Sequence, residues 1–533
     1  MERVLAGIAA SPGLWVGVAH RLAPVSGLER VQGDPAAEAA ALTGAMAAAA
    51  LSLSDLAAGM DGEAADMLGF QIAMLEDPAL AEPAYLAMAQ GKSAGEAWAN
   101  ALDAEIAGYE SSGDDYFRAR SADLADIRDR VLAALHGVDH GAAPPPGAVI
   151  LADDLKPSEF LTADWSSGGA IALAKGSPSS HVAMLARARS IPMVVGLGEF
   201  AGTLSGDIIV DGAAGTLIAA PAQAAIASAR ARAKAAAMAA RAAQARIDRP
   251  AVTIDGTRVK VMVNVASLAD LSGLDPAHVD GIGLTRTEFL VENALQDEDA
   301  QYRAYAGLME WAKGKPVTIR TFDAGGDKPV PGYTLDGEAN PFLGMRGIRL
   351  SLKHADIFKV QLRAILRAAT LGPVKVMLPM VTSADDLERS RTLLESCHAE
   401  LAAAGVIHAM PELGIMVEVP AVAMAPERFA AAFYSIGSND LTQYATAAGR
   451  DSAETAHWAD VAHPGVLAMI ARTATYGAQA GREVSLCGDA GSDPALIPHL
   501  LQAGVRIVSV APGLVASTKA AISEVDLAIE VAA

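Results

Sequence analysis

From Ala251 to the C-terminus the sequence repeats one unit: a short run of aliphatic and β-branched residues, a polar break, then a helical stretch. The strand-like runs are VKVMVNV (259–265), GIGLTR (281–286), VTIRTF (317–322), VKVMLPM (374–380), GIMVEV (414–419), FYSIGS (433–438), EVSLCG (483–488) and RIVSVAP (506–512). Runs of this kind are apolar on both faces, so each must be covered on both faces, and intervening helices do that in parallel sheets. Eight such units over residues 251–533 predict a (β/α)₈ barrel. An open parallel sheet is the alternative that the same pattern allows.

The upstream half reads differently. Residues 28–140 carry long Ala/Leu/Met segments with acids on their polar faces, a helical pattern. Asp34 followed by Pro35 marks a helix start, and Gly137 a helix end. The prolines in HGAAPPPGAVILADD then break the helical region, and AVILA opens a compact α/β unit over 141–220. Residues 1–27 hold one or two short strands, RVLAGIAASPG and WVGVAH, that complete this unit and make 28–140 an insertion. Residues 221–250 read as a helical linker.

The net charge of −21 argues against a nucleic-acid binder, which needs a basic face. Residues 29–140 hold 20 acids against 6 bases, so the helical region carries most of the excess. That fits either a solvated surface or a docking face for a basic partner. No apolar run reads as long enough to span a bilayer, and the N-terminus lacks the layout of a secretion signal. The two cysteines, Cys397 and Cys487, make no disulfide framework, so a reducing cytoplasm is the expected setting.

Polar residues gather at the C-terminal ends of the predicted barrel strands: Asn264, Arg286, Arg320 with Asp323, Glu418, Asn439 with Asp440, and Cys487. In a barrel that end is the active-site face. Each alone reads as a surface ion pair or a helix cap. Several arginines on one rim, with Arg346 and Arg450 able to join them, suit an anion that carries both phosphate and carboxylate. Acids among those arginines need something positive, and oxygen ligands from Glu418 and Asp440 match Mg²⁺. Cys487 fits a proton donor or a small buried residue, whereas Cys397 reads as an inert thiol in a helix.

His181 follows GSPSS and precedes a short helix that Pro192 ends, with Ser179 or Ser180 as its cap. An imidazole at a helix N-terminus is disfavoured as a cation, so it stays nucleophilic. The same N–H groups welcome a phosphoryl group. The position therefore suits a phosphohistidine. No nucleotide motif accompanies it: GKS at 91–93 has Leu86 where a phosphate loop needs glycine, and GLGEFAG at 196–202 breaks the GxGxxG spacing.

Taken with EAADMLGFQIAMLEDPAL (63–80), ILADDLKPSE (150–159), GIGLTRTEFL (281–290), IRTFDAGGDK (319–328), NPFLGMRGIRL (340–350), GIMVEVP (414–420), SIGSNDLTQY (435–444) and LCGDAG (486–491), these residues resemble enzyme I of the bacterial phosphotransferase system, the phosphoenolpyruvate–protein phosphotransferases. The resemblance covers nearly the whole chain; single motifs are shared with pyruvate phosphate dikinase and phosphoenolpyruvate synthase. It implies that His181 accepts the phosphoryl group and that Cys487 protonates the enolate of pyruvate. Arg286, Arg320, Arg346, Asn439 and Arg450 would bind phosphoenolpyruvate, and Glu418 and Asp440 would hold Mg²⁺. The acidic helices would dock the phosphocarrier HPr, and the barrel would form a homodimer. His181 would have to visit two places, so hinges are expected near 20–30, 137–147 and 221–250.

Two segments depart from the family pattern. The usual Gly-Gly-x-Thr-Ser-His approach is Gly176-Ser177-Pro178-Ser179-Ser180-His181 here, and Asp489 in CGDAGSD stands where a glutamate is usual. A dikinase or synthase would need a nucleotide-binding domain for which there is no room. A regulatory phosphorelay, a dihydroxyacetone-linked one, and a non-catalytic scaffold are the other readings. The scaffold conflicts with the retained arginines, acids and cysteine.

Overall fold

The computed structural model describes residues 2–22, 32–58, 63–110, 115–137, 144–178, 180–198, 204–291, 294–326, 328, 330, 332–335, 337–449 and 455–529. The chain divides into two compact units, Met1–Ala237 and Met238–Ala533.

The first unit is built on eight strands: β1 (Arg3–Ala6), β2 (Ile8–Ser11), β3 (Leu14–Arg21), β4 (Val149–Ala152), β5 (Ala170–Leu173), β6 (Met193–Val195), β7 (Asp207–Asp211) and β8 (Thr216–Ala219). Their order is β1-β8-β7-β3-β4-β5-β6-β2. The first twenty residues thus form three strands, not one or two, because RVLAGIAAS divides at Gly7. Gly7 gives its N–H to the Gly215 carbonyl at 2.8 Å, and the chain changes partners there. β1 pairs with β8 and β2 with β6, at opposite ends of the strand order. One residue separates those ends, so the sheet has to curl until its edges come together. Val149, Leu151, Ala170, Ala172, Val194, Ile208, Val210 and Leu217 fill one face.

β3 lies parallel to β4, with Ala19 opposite Val149. Between these neighbours run five helices: α1 (Pro35–Ala57), α2 (Glu63–Glu76), α3 (Pro78–Ala89), α4 (Ala94–Glu110) and α5 (Asp115–His136). Asp34 caps α1 by accepting from the Ala37 N–H at 2.8 Å. α1 is long and apolar enough, by length and composition, to cross a membrane, which the sequence reading did not anticipate. Its alanine content raises its hydropathy. Leu42, Ala45, Ala49 and Leu53, spaced three and four apart, form a stripe that packs with Leu68, Trp98, Ile127 and Val131. The buried Glu38 accepts from the N–H groups of Gly33 and Ala94, both at 2.7 Å. The insertion is anchored to the α/β part at helix α6 (Pro157–Thr162), where Asp126 on α5 accepts from the Ser158 hydroxyl at 2.7 Å and from its N–H at 3.2 Å. Two further helices follow: the short α7 (His181–Ala188) and the long α8 (Gln223–Gln244), within whose span the division between the units falls.

The second unit starts with β9 (Ala251–Val252), antiparallel to β10 (Arg258–Val265). β11 (Ile282–Arg286), β12 (Val317–Arg320), β13 (Val374–Leu378), β14 (Glu412–Val417), β15 (Phe433–Gly437), β16 (Glu483–Cys487) and β17 (Ile507–Val510) follow, each parallel to the next. β10 pairs with both β11 and β17, so the eight strands β10–β17 close into a barrel and the open sheet is excluded. Alternation along each strand divides the core. Val261, Ile319, Val376, Ile415, Ile436, Leu486 and Val508 face outward onto Phe358, Leu362, Leu394, Ile470 and Leu500. Inside the barrel, Leu284, Met377, Met416, Phe433 and Cys487 form a second, smaller cluster. Burying each large aliphatic or aromatic side chain contributes about 1.5–3 kcal/mol, which makes the barrel a stiff platform for its rim.

Candidate active site

Because all eight barrel strands run the same way, their C-terminal ends share one rim. Arg286 ends β11, Arg320 ends β12, Cys487 ends β16, and Glu418 comes one residue after β14. Asn439 and Asp440 lie in the first turn of helix Ser438–Thr446, which follows β15 directly. Arg346 comes from the long β12 connection, just ahead of helix Ile348–Lys353.

The arginines differ in what they have left to offer. Arg346 is fully buried, and all five of its N–H donors are used. Nε and one terminal nitrogen bond Asp323 at 3.1 Å each; both terminal nitrogens bond Asp440 at 3.1 Å, and one also reaches the Tyr444 hydroxyl at 3.2 Å. Burial disfavours its charge, but Asp323, Asp440 and Glu418 outweigh that and hold it firmly ionised. Arg320 is 5% exposed; it pairs with Glu288 and, at 3.1 Å, with Asp323, yet its buried Nε has no partner among the described residues. Arg286 is half-buried, and its guanidinium makes no hydrogen bond or ion pair among the described residues. An incoming anion therefore finds Arg286 open, Arg320 partly open and Arg346 committed. Asp323 is buried at the centre, and although burial alone would raise it, Lys328, Arg320 and Arg346 hold it well below the usual carboxylate range.

The acids carry the counter-argument. Burial first, then the charges of Asp440 and Asp323, push Glu418 up to about 7 despite Arg346 and Arg320. One Glu418 oxygen accepts the Met380 N–H at 2.6 Å. Met380 adopts φ +56°, a left-handed conformation that a non-glycine residue adopts at a cost of about 1–2 kcal/mol. Gly437 leaves room for the other oxygen: a Cβ there would stand 3.0 Å from it. Two buried carboxylates, one of them pushed up by burial and by its acidic neighbours, are hard oxygen donors that suit a divalent cation such as Mg²⁺. Among the described residues no three His, Cys, Asp or Glu side chains form a ready cage. Such an ion would take its remaining ligands from substrate and water.

Cys487 is buried, and burial raises its thiol above the ordinary value. Its sulfur donates to the Ile436 carbonyl at 3.5 Å and accepts from the Ser435 hydroxyl at 3.7 Å. Asn439 is held by Asp489: its amide donates to the carboxylate at 3.0 Å and accepts the Asp489 N–H at 3.1 Å. Asn264 donates to the Ser509 carbonyl at 3.0 Å, and its own buried carbonyl oxygen has no partner among the described residues. The rim thus brings together Arg286, Arg320, Arg346, Glu418, Asn439, Asp440 and Cys487. Arg450 and Ser179 lie outside the described residues, as do 23–31 and 138–143 within two of the expected hinges. His181 opens α7, where Ser180 accepts the Ala183 N–H at 3.2 Å; the imidazole itself is not among the described side chains. Arg187 ties down the approach by donating to the Pro178 carbonyl at 2.8 Å and the Ala10 carbonyl at 2.6 Å. Cys397 is buried in helix Ala384–Ala403, and burial pushes it up to about 11.

Residue-by-residue reading missed Glu288, Lys328 and Tyr444. Glu288 is buried two residues past Arg286, and Lys328 bonds it at 3.0 Å and Asp323 at 3.3 Å. Burial would raise Glu288, but Arg320 and Lys328 hold it below its ordinary value. Both residues stand inside the quoted segments GIGLTRTEFL and IRTFDAGGDK, yet a lone Glu or Lys after a strand reads as a surface charge.

Residues 240–527 match the family described as PEP-utilising enzyme, PEP-binding domain; residues 6–120 match the N-terminal family of PEP-utilising enzymes and 144–215 their mobile domain. The chain is 38% identical over 454 residues to the multiphosphoryl transfer protein of Rhodobacter capsulatus, covering 84% of this chain and 54% of that protein's length. It is 36% identical over 481 residues to the phosphoenolpyruvate-protein phosphotransferase of Haloferax volcanii, covering 87% and 83%. The protein of that name from Geobacillus stearothermophilus is 35% identical over 523 residues, covering 95% and 90%.

Proposed function

The chain belongs to the phosphoenolpyruvate-utilising enzymes, among the phosphoenolpyruvate–protein phosphotransferases, and we propose from this that it moves the phosphoryl group of phosphoenolpyruvate to His181 and on to a histidine of an HPr-like carrier, releasing pyruvate. The observation that carries the site assignment is the buried Glu418–Asp440 pair set among arginines, with Glu418 pushed up to about 7. Phosphoryl transfer asks for positioning and charge neutralisation more than covalent help.

Arg286 and the Arg320 Nε, which has no partner among the described residues, receive the anionic groups of the substrate. Arg346 keeps Asp440 and Asp323 in place, and takes part in binding once substrate oxygens compete with those carboxylates. Asn439, steered by Asp489, and Arg450 complete the substrate contacts. Glu418 and Asp440 would hold Mg²⁺, which when bound offsets negative charge on the phosphoryl oxygens. His181 attacks phosphorus while neutral, and the N-terminus of α7 favours the phosphoryl group once it arrives. Cys487, at the rim end of β16, gives its proton to the enolate. That protonation makes the donor half downhill.

The acidic helical insertion supports docking of a basic phosphocarrier. The first step of sugar uptake fits this chemistry; the regulatory and dihydroxyacetone-linked readings are not favoured. We further propose a homodimer through the barrel and a cytoplasmic setting. Incubation with phosphoenolpyruvate and Mg²⁺, without ATP, should place an acid-labile phosphate on His181 and release pyruvate, and His181→Ala should abolish both. An unlabelled, folded protein would overturn the assignment.

A further inference from the structure

The Ser435 hydroxyl is a polar group in an apolar place. It is fully buried inside the barrel, on β15, beside the cluster of Leu284, Met377, Met416 and Phe433. Its single hydrogen bond among the described residues goes to the sulfur of Cys487, at 3.7 Å. Two other buried hydroxyls on barrel strands, those of Thr285 and Ser509, find no partner at all among the described residues. A buried hydroxyl without a useful partner destabilises, and alanine would fill the same space without that cost.

The strand register explains how the two side chains meet. Ser435 stands opposite Ser485, and Gly437 stands opposite Cys487. Ser435 and Cys487 are therefore diagonal neighbours on the inward face of adjacent strands. Gly437, across from the thiol, has no side chain to intrude on it. The sulfur is gripped on two sides: its proton lies toward the Ile436 carbonyl at 3.5 Å, and its lone pair accepts from Ser435. A third contact fixes the backbone, because Ser438 donates to the Cys487 carbonyl at 3.0 Å.

We infer that Ser435 is a positioning residue for enolate protonation: its hydroxyl aims the Cys487 sulfur at the reacting carbon and stabilises the thiolate that protonation leaves behind. The inference rests on the reading of Cys487 as proton donor. In the step, the Cys487 S–H bond breaks and its proton bonds to C3 of the enolate through the carbon–carbon π pair. The enolate oxygen becomes the ketone of pyruvate. The thiolate keeps the Ser435 hydrogen bond after it has lost the Ile436 one, and then recovers a proton from water.

The test separates the two halves of the reaction in the full-length protein with phosphoenolpyruvate and Mg²⁺. Rapid quench measures phosphate on His181, and a lactate dehydrogenase couple measures pyruvate, which enolpyruvate does not feed. In the unaltered protein the two should rise together. In Ser435→Ala, phosphorylation of His181 should stay near the normal rate while pyruvate lags by about ten- to a hundredfold, because enolpyruvate escapes and ketonises in solution. Ser435→Thr, which keeps a hydroxyl, should restore the coupling. Cys487→Ser serves as the reference for uncoupling. If Ser435→Ala leaves the two signals synchronous, whether both are normal or both slowed alike, the positioning role is wrong. If Cys487→Ser also stays synchronous, the proton-donor reading fails and takes this inference with it; if the unaltered protein gains no phosphate, the proposed function itself has failed.

Discussion

Replacing Glu418 by glutamine should stabilise the metal-free protein at alkaline pH and leave it unchanged in acid. Glu418 is wholly buried and is pushed up to about 7 from an ordinary 4.5. Its folded state therefore binds a proton more tightly than its unfolded state does. The associated stability is fully present below pH 4.5, falls as pH rises, and is gone once pH has passed the folded value of about 7. A gap of about 2.5 units at 1.36 kcal/mol per unit is about 3 kcal/mol. Glutamine keeps the acceptor for the Met380 N–H and carries no charge, so it escapes the penalty. Urea denaturation in the presence of a chelator, followed at pH 8 and at pH 4.5, gives both numbers. The variant should gain about 3 kcal/mol at the higher pH and nothing at the lower. Added Mg²⁺ should stabilise the parent at pH 8 and the variant far less. A gain at pH 8 below about 1 kcal/mol, or one that persists in acid, would refute the argument that burial, reinforced by the charges of Asp440 and Asp323, holds Glu418 high.

Asp323→Asn should cost about 3–5 kcal/mol in denaturant midpoint analysis, because it leaves Arg320, Arg346 and Lys328 facing a buried neutral group. Gly488→Ala should raise KM for phosphoenolpyruvate by about tenfold and lower the denaturant midpoint, by at least the roughly 1–2 kcal/mol that a side chain at positive φ costs; Gly488 sits at φ +112°, and a Cβ there would fall 2.2 Å from the buried Ser438 hydroxyl oxygen and 2.7 Å from the Asn439 side-chain oxygen. Transfer from phospho-His181 to an HPr-like carrier should slow by about tenfold between about 0.05 M and 0.5 M salt, while phosphorylation by phosphoenolpyruvate changes little, since only the first relies on long-range attraction to the acidic insertion.

Much of the architecture was legible in the chain. The eight barrel strands fell where runs such as VTIR and FYSIG lie, because a strand buried on both faces must be apolar throughout and short. Asp34 and the Ser179–Ser180 pair announced their helices because a cap needs a side-chain oxygen ahead of free N–H groups, and of the two serines it is Ser180 that caps α7. Arg286, Arg320, Glu418, Asp440 and Cys487 could be placed on the rim for the same local reason: a strand end in a barrel points at one face. The division of RVLAGIAAS into two strands could not be, since either half pairs equally well until distant β6 and β8 choose between them.

Local pattern is a property of neighbours in the chain, and it carries element type, element order and the residues that reach the rim. Partnership is a property of neighbours in space. That Arg346 spends all five donors on Asp323, Asp440 and Tyr444, that Glu288 and Lys328 belong to the same network, and that Ser435 serves one sulfur on the next strand all depend on which side chains share a low-dielectric space. An arginine after a strand is written identically whether solvent or two carboxylates await it. The barrel's closure makes that choice, because it removes water from the rim and leaves each charge to be balanced by whatever the fold has brought within reach.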